Sequence, residues 1–174
     1  IKFFLKEGEH LVILGESGCG KSTLLHLIYG LIHLEKGKIF WKKRQLLGPQ
    51  HNIVPGDLAM KLVAQEFNVM PYISVAENIA THLSRNNKQQ DAARVDQLLE
   101  VVALQEHKHT KVKNLSGGQK QRVALAKALA NAPEVILLDE PFSNIDTFRK
   151  NKLRRNVYGY LKENNITCIT ATHD

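Results

Sequence analysis

Nine consecutive residues carry the densest chemistry in the chain: Gly15, Glu16, Ser17, Gly18, Cys19, Gly20, Lys21, Ser22 and Thr23. They follow the apolar run Leu11-Val12-Ile13-Leu14 and lead into Leu24-Leu25. A strand that ends in Gly-x-x-x-x-Gly-Lys-Ser and enters a helix is suited to cradling phosphate. Glycine allows left-handed and crowded backbone. Successive N–H groups can then turn inward as a nest, and the helix start adds its partial positive charge. Lys21 supplies a mobile charge for β- and γ-phosphates, and Ser22 offers an oxygen to Mg²⁺. The stretch therefore reads as the binding loop of a nucleoside triphosphate tail. Cys19 would meet the phosphates through its backbone. Its thiol is either reactive beside a cationic nest or an inert filler.

A second constellation is Val135-Ile136-Leu137-Leu138-Asp139-Glu140, an apolar strand ending in two carboxylates. Asp139 is placed to hold Mg²⁺ through water, and Glu140 to polarise an attacking water. The third is Asn114-Leu115-Ser116-Gly117-Gly118-Gln119 at an expected helix start. A serine hydroxyl, two glycine N–H groups and a helix dipole make a second anion site. Two phosphate-binding helix starts could take separate ligands, or two chains could meet head to tail and share one. The residues alone leave both open.

The elements that must position these groups follow from periodicity and punctuation. Residues 11–14 read as a short buried strand. Leu24, Leu25, Leu27 and Ile28 recur at helical spacing, with Gly30 as the stop. Residues 37–46 read as a strand with a polar connection, and Gly48-Pro49 and Pro55-Gly56 as turns. Ser74 and Glu77 form a capping box. Val95, Leu98, Leu99 and Val102 share one helix face. A further helix starts at Ser116 and stops before Pro133. The strand at 135–140 follows, then a basic helix at about 147–163, then a closing strand ending near His173. This order describes an α/β core interrupted by a helical insert.

Bulk properties narrow the function classes. The chain has 174 residues with 43% hydrophobic and 24% charged content, ordinary for one globular domain. No apolar run approaches the roughly 20 residues that a membrane-spanning helix needs. No signal peptide is visible. The formal charge of +7 fits either polyanion binding or a basic protein with no such role. Two distant cysteines, Cys19 and Cys168, suggest a reducing compartment without a disulfide framework. His107 and His109 have no third ligand nearby in sequence, so a metal reading is set aside.

Taken in order, these motifs resemble those of the ATP-binding-cassette (ABC) ATPases. The Leu-Ser-Gly-Gly-Gln signature lies between a Walker A loop and the Val-Ile-Leu-Leu-Asp-Glu strand. Gln65 matches the Q-loop, Ser143-Asn144-Ile145-Asp146 the D-loop, and His173 the switch histidine. The resemblance runs from about Lys6 to His173. It implies a P-loop NTPase core with a mainly parallel sheet and a small, incomplete N-terminal antiparallel β portion. It also implies an inserted helical subdomain at about 71–130 that carries the signature, with 1–70 and 131–174 forming a RecA-like α/β core of one domain. Two cassettes are expected to sandwich two ATP molecules. Each ATP would lie between one chain's Walker A loop and the other's Ser116, Gly117, Gly118 and Gln119.

By the same resemblance, Gln65 reaches Mg²⁺ and the lytic water, His173 contacts the γ-phosphate, and Asp146 sits in the dimer contact. Glu140 is implied as the general base or as the residue that orients the lytic water. The implied partners are a second ABC ATPase chain, an integral membrane permease and a substrate-binding protein, with no nucleic acid. The implied location is the cytoplasmic face of the cell membrane. Import of polyamines, iron or sugars fits the compact spacing, although exporters share most of these features. A soluble ribosome- or DNA-associated ATPase and a scaffold with little turnover are the rival readings. Family domains extend beyond both ends of this chain. Phe3 and Phe4 are the aromatics upstream of the loop, and they fit a buried strand better than an adenine-stacking platform. The stretch is thus expected to lack that platform and, by itself, to be a poor ATPase.

Overall fold

The computed structural model describes residues 1–66, 68–83 and 87–173. Its centre is a four-stranded sheet in the order β1 (His10–Leu14), β6 (Thr167–Thr172), β5 (Val135–Asp139), β4 (Met60–Val63). Every neighbouring pair in it is parallel. Parallel strands need crossover connections, and helices supply them. They are α1 (Lys21–Tyr29), α2 (Val75–Ala80), α3 (Lys88–Val101), α4 (Gly117–Leu129) and α5 (Thr147–Glu163). A separate antiparallel hairpin joins β2 (Ile39–Trp41) to β3 (Arg44–Leu46).

Burial explains why β5 is apolar up to Asp139 and why β6, Thr-Cys-Ile-Thr-Ala-Thr, carries no charged residue. Every residue of both strands is buried, as expected for parallel strands covered on two faces. Alternate side chains serve different layers. Val135, Leu137, Ile169 and Ala171 pack with Leu25 and Ile28 of α1. Ile136, Leu138 and Cys168 pack with Leu153, Val157 and Leu161 of α5 and with the helices before β5. That second cluster also holds Val75, Ile79, Leu98 and Leu129, so the helical stretch shares a core with the sheet.

Local signals place most helix ends. Gly30 closes α1 at φ 84°, where a side chain would strain the backbone. Ser74 and Glu77 form the capping box of α2, and Asn87 caps α3. Val95, Leu98 and Leu99 face inward as their spacing predicts.

Three expectations need correction. Residues 11–14 do form a strand, but it is not a buried one. Val12 is 50% and Leu14 67% exposed, while Leu11 and Ile13 point into the core. β1 is an edge strand, so its apolar composition does not bring a second covering layer. Residues 37–46 are two short strands around a turn at Lys42, whose φ is 54°. Ion pairing of Lys42 with Glu134 (2.6 Å) and a Trp41 Nε1 bond to the same carboxylate (3.2 Å) tie this hairpin to the residue before β5. Phe3 and Phe4 lie on no strand. Phe4 is 83% exposed, and both rings border an apolar cleft of about 700 Å³ with Trp41 and Ile169.

Asn78 was invisible to pattern reasoning. It is fully buried, and its amide closes the loop before α2. Oδ1 accepts from Met70 N–H at 2.8 Å, and Nδ2 donates to Met70 O and Ser74 O at 2.9 and 3.0 Å. Asn78→Ala orphans these buried groups and should cost about 2 kcal/mol or more. Urea unfolding followed by circular dichroism checks this, and a loss below about 0.5 kcal/mol would contradict a structural role for the amide.

Candidate functional site

Parallel strands deliver their C-terminal ends to one side of the sheet. Leu14 lies opposite Thr172, Asp139 opposite Ala171, and Val63 opposite Leu138. The segments that leave these ends therefore converge. After β1 comes the loop 15–20, after β5 Glu140, after β6 His173, and two residues past β4 Gln65. They line one open cleft of about 730 Å³ with Gly15, Glu16, Ser17, Gly18, Gly20, Lys21, Ser22, Thr23, Gln65, Glu140, Ser143 and His173. Crevices at the carboxyl ends of parallel strands are the usual ligand sites of such sheets.

The loop has the backbone that its glycines permit. Gly18 and Gly20 sit at φ 83° and 95°. Lys21 is buried, and its ammonium bonds to Gly15 O at 2.7 Å and Glu16 O at 2.9 Å. The charge is thus held across the mouth of the loop it closes. Cys19 does not line the cleft, and its Sγ lies 4.0 Å from Lys21 Nζ. Gly15 lies close to Cys19: a Cβ there would stand 2.6 Å from the sulfur, so the Cys19 side chain would have to turn away. Burial pushes the Cys168 thiol up to about 11, while Cys19 is exposed.

Helix capping separates the two anion sites. Of α1 to α4, only α1 has no side-chain cap and no capping box. Its first N–H groups open onto the cleft without a protein acceptor from a cap, which suits an external anion. The start of α4 is different. Ser116 Oγ accepts from Gln119 N–H at 3.3 Å, and Gln119 Oε1 accepts from Ser116 N–H at 2.8 Å. The Ser116 and Gln119 side chains thus first serve their own helix. The N–H groups of Gly117 and Gly118 and the Ser116 hydroxyl proton remain to meet a ligand. None of Ser116 to Gln119, and not Asp146, lines the cleft around Lys21. The signature therefore lies apart from the loop within one chain.

Glu140 is the most constrained residue of the site. Its φ is 48°, a conformation that costs a non-glycine residue about 1–3 kcal/mol. Its N–H donates to Ala171 O at 2.9 Å. Its Oε1 lies 2.8 Å from His173 Nδ1, and Oε2 accepts from Thr172 Oγ1 at 3.3 Å. Glutamate and histidine are thus brought together across adjacent strands, although 33 residues separate them. Two contacts have no signal in the sequence. Thr172 depends on the β5–β6 register, and Gln121, whose Nε2 donates to Glu140 O at 2.7 Å, depends on how α4 packs against the sheet.

Asp139, one residue back, is 3% exposed, and its Oδ1 has no hydrogen-bond partner among the described residues. A buried carboxylate oxygen left unpaired is costly. Ser22 and Gln65 line the cleft and Asp139 does not, but all three offer oxygen donors of the hard kind that Mg²⁺ takes. The residues present therefore fit that ion.

Comparison with known proteins agrees with this geometry. The ABC transporter family model matches residues 1–143. The chain is 39% identical over its full length to the Fe(3+) ions import ATP-binding protein FbpC of Haemophilus influenzae, covering 50% of that protein. It is 38% identical over 98% of its length to the spermidine/putrescine import ATP-binding protein PotA of Thermotoga maritima, covering 46% of it. The chain thus spans about half the length of these curated relatives. Among solved structures it is similar to a dimeric post-hydrolysis state of the ATP-binding cassette MJ0796 bound to ADP and Pi. That match has a TM-score of 0.83 at 29% identity and covers 99% of this chain and 78% of the other. It is also similar to cbiO1 from Clostridium perfringens, part of the ABC transporter complex cbiONQ. There the TM-score is 0.81 at 28% identity, with 100% and 70% covered. The mainly parallel sheet, the phosphate loop on an uncapped helix and these matches lead to one conclusion: the chain belongs to the ABC transporter family, with the P-loop fold of its nucleotide-binding domains.

Proposed function

We propose that the chain is the nucleotide-binding part of a transport ATPase subunit. It hydrolyses ATP to ADP and phosphate within a head-to-tail dimer and so powers a membrane permease. The observation that carries this reading is the single cleft that gathers Lys21, Gln65, Glu140 and His173 beside the uncapped start of α1.

In this reading Gly15 to Thr23 wrap the triphosphate with backbone N–H groups. On binding, Lys21 exchanges its two carbonyl partners for phosphate oxygens. Glu140 orients the attacking water for in-line displacement, and His173, already 2.8 Å from Glu140, faces the γ-phosphate. Ser22, Gln65 and, through water, Asp139 would hold Mg²⁺, which neutralises charge on the β- and γ-phosphates when bound. Positioning and charge stabilisation carry the rate, without a covalent intermediate.

The separation of Ser116 to Gln119 from the chain's own cleft supports the sandwich, in which these groups close over the ATP of a partner chain. Asp146 would then lie at the dimer contact. The helical stretch at about 71–130 would act as the arm that carries the signature toward the partner. The names of FbpC and PotA, import ATP-binding proteins for Fe(3+) ions and for spermidine/putrescine, favour import of a small solute. A permease and a substrate-binding protein are the partners this reading expects. No helix among the described residues is long and apolar enough to cross a membrane. This is compatible with a peripheral position on the inner membrane face.

Two substitutions in the intact protein test the chemistry. Glu140→Gln should keep ATP affinity, lower kcat by about a hundredfold or more, and accumulate an ATP-bound dimer visible by size-exclusion chromatography. Turnover at the wild-type rate would remove Glu140 from its role. Lys21→Ala should weaken ATP binding by about tenfold or more in a fluorescent-nucleotide titration. Unchanged affinity would count against the phosphate cradle.

A further inference from the structure

The Glu140 carbonyl is bonded from two directions. On one side, Ser143 donates to it through N–H at 3.2 Å and Oγ at 3.1 Å, as a local turn would. On the other, Gln121 reaches across from α4 and donates Nε2 at 2.7 Å. Gln121 is 2% exposed, and its Oε1 has no hydrogen-bond partner among the described residues. A buried amide satisfied at one end is a poor stabiliser, since an apolar side chain of the same size would leave no orphan oxygen. Stability alone therefore gives little reason for an amide here. Its one bond goes to the backbone of a residue held at φ 48°.

The position of Gln121 on its helix gives that bond a meaning. Ser116 caps the same helix five residues earlier, about 7.5 Å along the axis. A second contact runs in parallel. Gly118 lies so close to the Asn144 carbonyl that any Cβ there would collide with it. The first turns of α4 thus touch the segment 140–144 twice, once through a hydrogen bond and once through close backbone packing. A helix joins the signature end to the carbonyl of Glu140.

We propose that Gln121 is a positioning residue that ties the signature helix to Glu140. Seating of Ser116 and its neighbours on the partner's nucleotide would then fix the hydrolytic glutamate of the chain's own site. The two ATP sites of the dimer are linked within each chain by one side chain. This rests on the ATPase reading above. Gln121 acts through Glu140 and touches no substrate.

The test uses the intact protein and steady-state ATPase kinetics. Gln121→Met keeps the volume and removes the donor. It should lower kcat by about tenfold to a hundredfold while KM for ATP stays within about twofold, because nucleotide binding is untouched. Combined with Ser116→Ala, the losses should not add: the double variant should be no slower than the slower single. A kcat within about twofold of wild type, or fully multiplicative losses, overturns the link. A parallel rise in KM also overturns it, as that marks general damage to the cleft. If Gln121→Met does not fold, Gln121→Asn, polar but one methylene short, takes its place with the same expected and contrary results. Glu140→Gln is the control that separates the two proposals. If wild type and Glu140→Gln turn over alike, the ATPase reading fails. If only Glu140→Gln is slow and Gln121→Met is not, the link alone fails.

Discussion

Strand direction is the constraint from which the rest of this structure follows. Because β1, β6, β5 and β4 all run the same way, their C-terminal ends share one rim. Residues far apart in sequence can then meet at or just beyond the ends of regular elements. Lys21 begins a helix, Glu140 and His173 each sit one residue past a strand, and Gln65 two past. A register slip of one residue in β5 or β6 would exchange the two covered faces of that strand and would part Glu140 from His173. The buried apolar faces around Leu137 and Leu138 thus fix the spacing of Glu140 and His173 as well as the fold.

Helix capping does a second job in this fold. A protein normally satisfies the first N–H groups of its helices, and α2, α3 and α4 do so with Ser74, Asn87 and Ser116. At α1 the position belongs to Gly20, which has no side chain to offer. The absence of a side-chain cap leaves those donors open to an external anion, as the proposed function requires. At α4 the box of Ser116 and Gln119 stiffens the helix start, and Gln119 Nε2 lies 2.8 Å from His107 Nε2. The two anion sites are therefore unlike. One is a loop around a lysine in an open cleft, and the other is a short, braced helix start that, under the proposed function, would touch a phosphate bound by a partner chain.

What the sequence made legible was local. The glycine loop, the capping box at Ser74, the Leu98–Leu99 face and the start of α4 each rest on residues within two turns of one another. All of them appear where periodicity and punctuation place them. The misplaced features depend on what lies across space. The 11–14 run has the composition of a buried strand, yet its edge position leaves Leu14 exposed. The bonds of Gln121 to Glu140 and of Asn78 to Met70 cross between elements or close a loop. Nothing in the spacing of a lone Gln or Asn announces them. The resemblance to a known family named Gln65 and His173; the register of the sheet is what brings them to the cleft.

The account depends most on each chain holding two halves of different sites. Hydrogen–deuterium exchange on the intact Glu140→Gln protein, with and without ATP and Mg²⁺, measures that directly. Amides at 15–23 and at 116–119 should gain protection together, over one nucleotide concentration range and only at protein concentrations that permit association. Protection confined to 15–23, with the start of α4 exchanging as it does without nucleotide, would contradict the account.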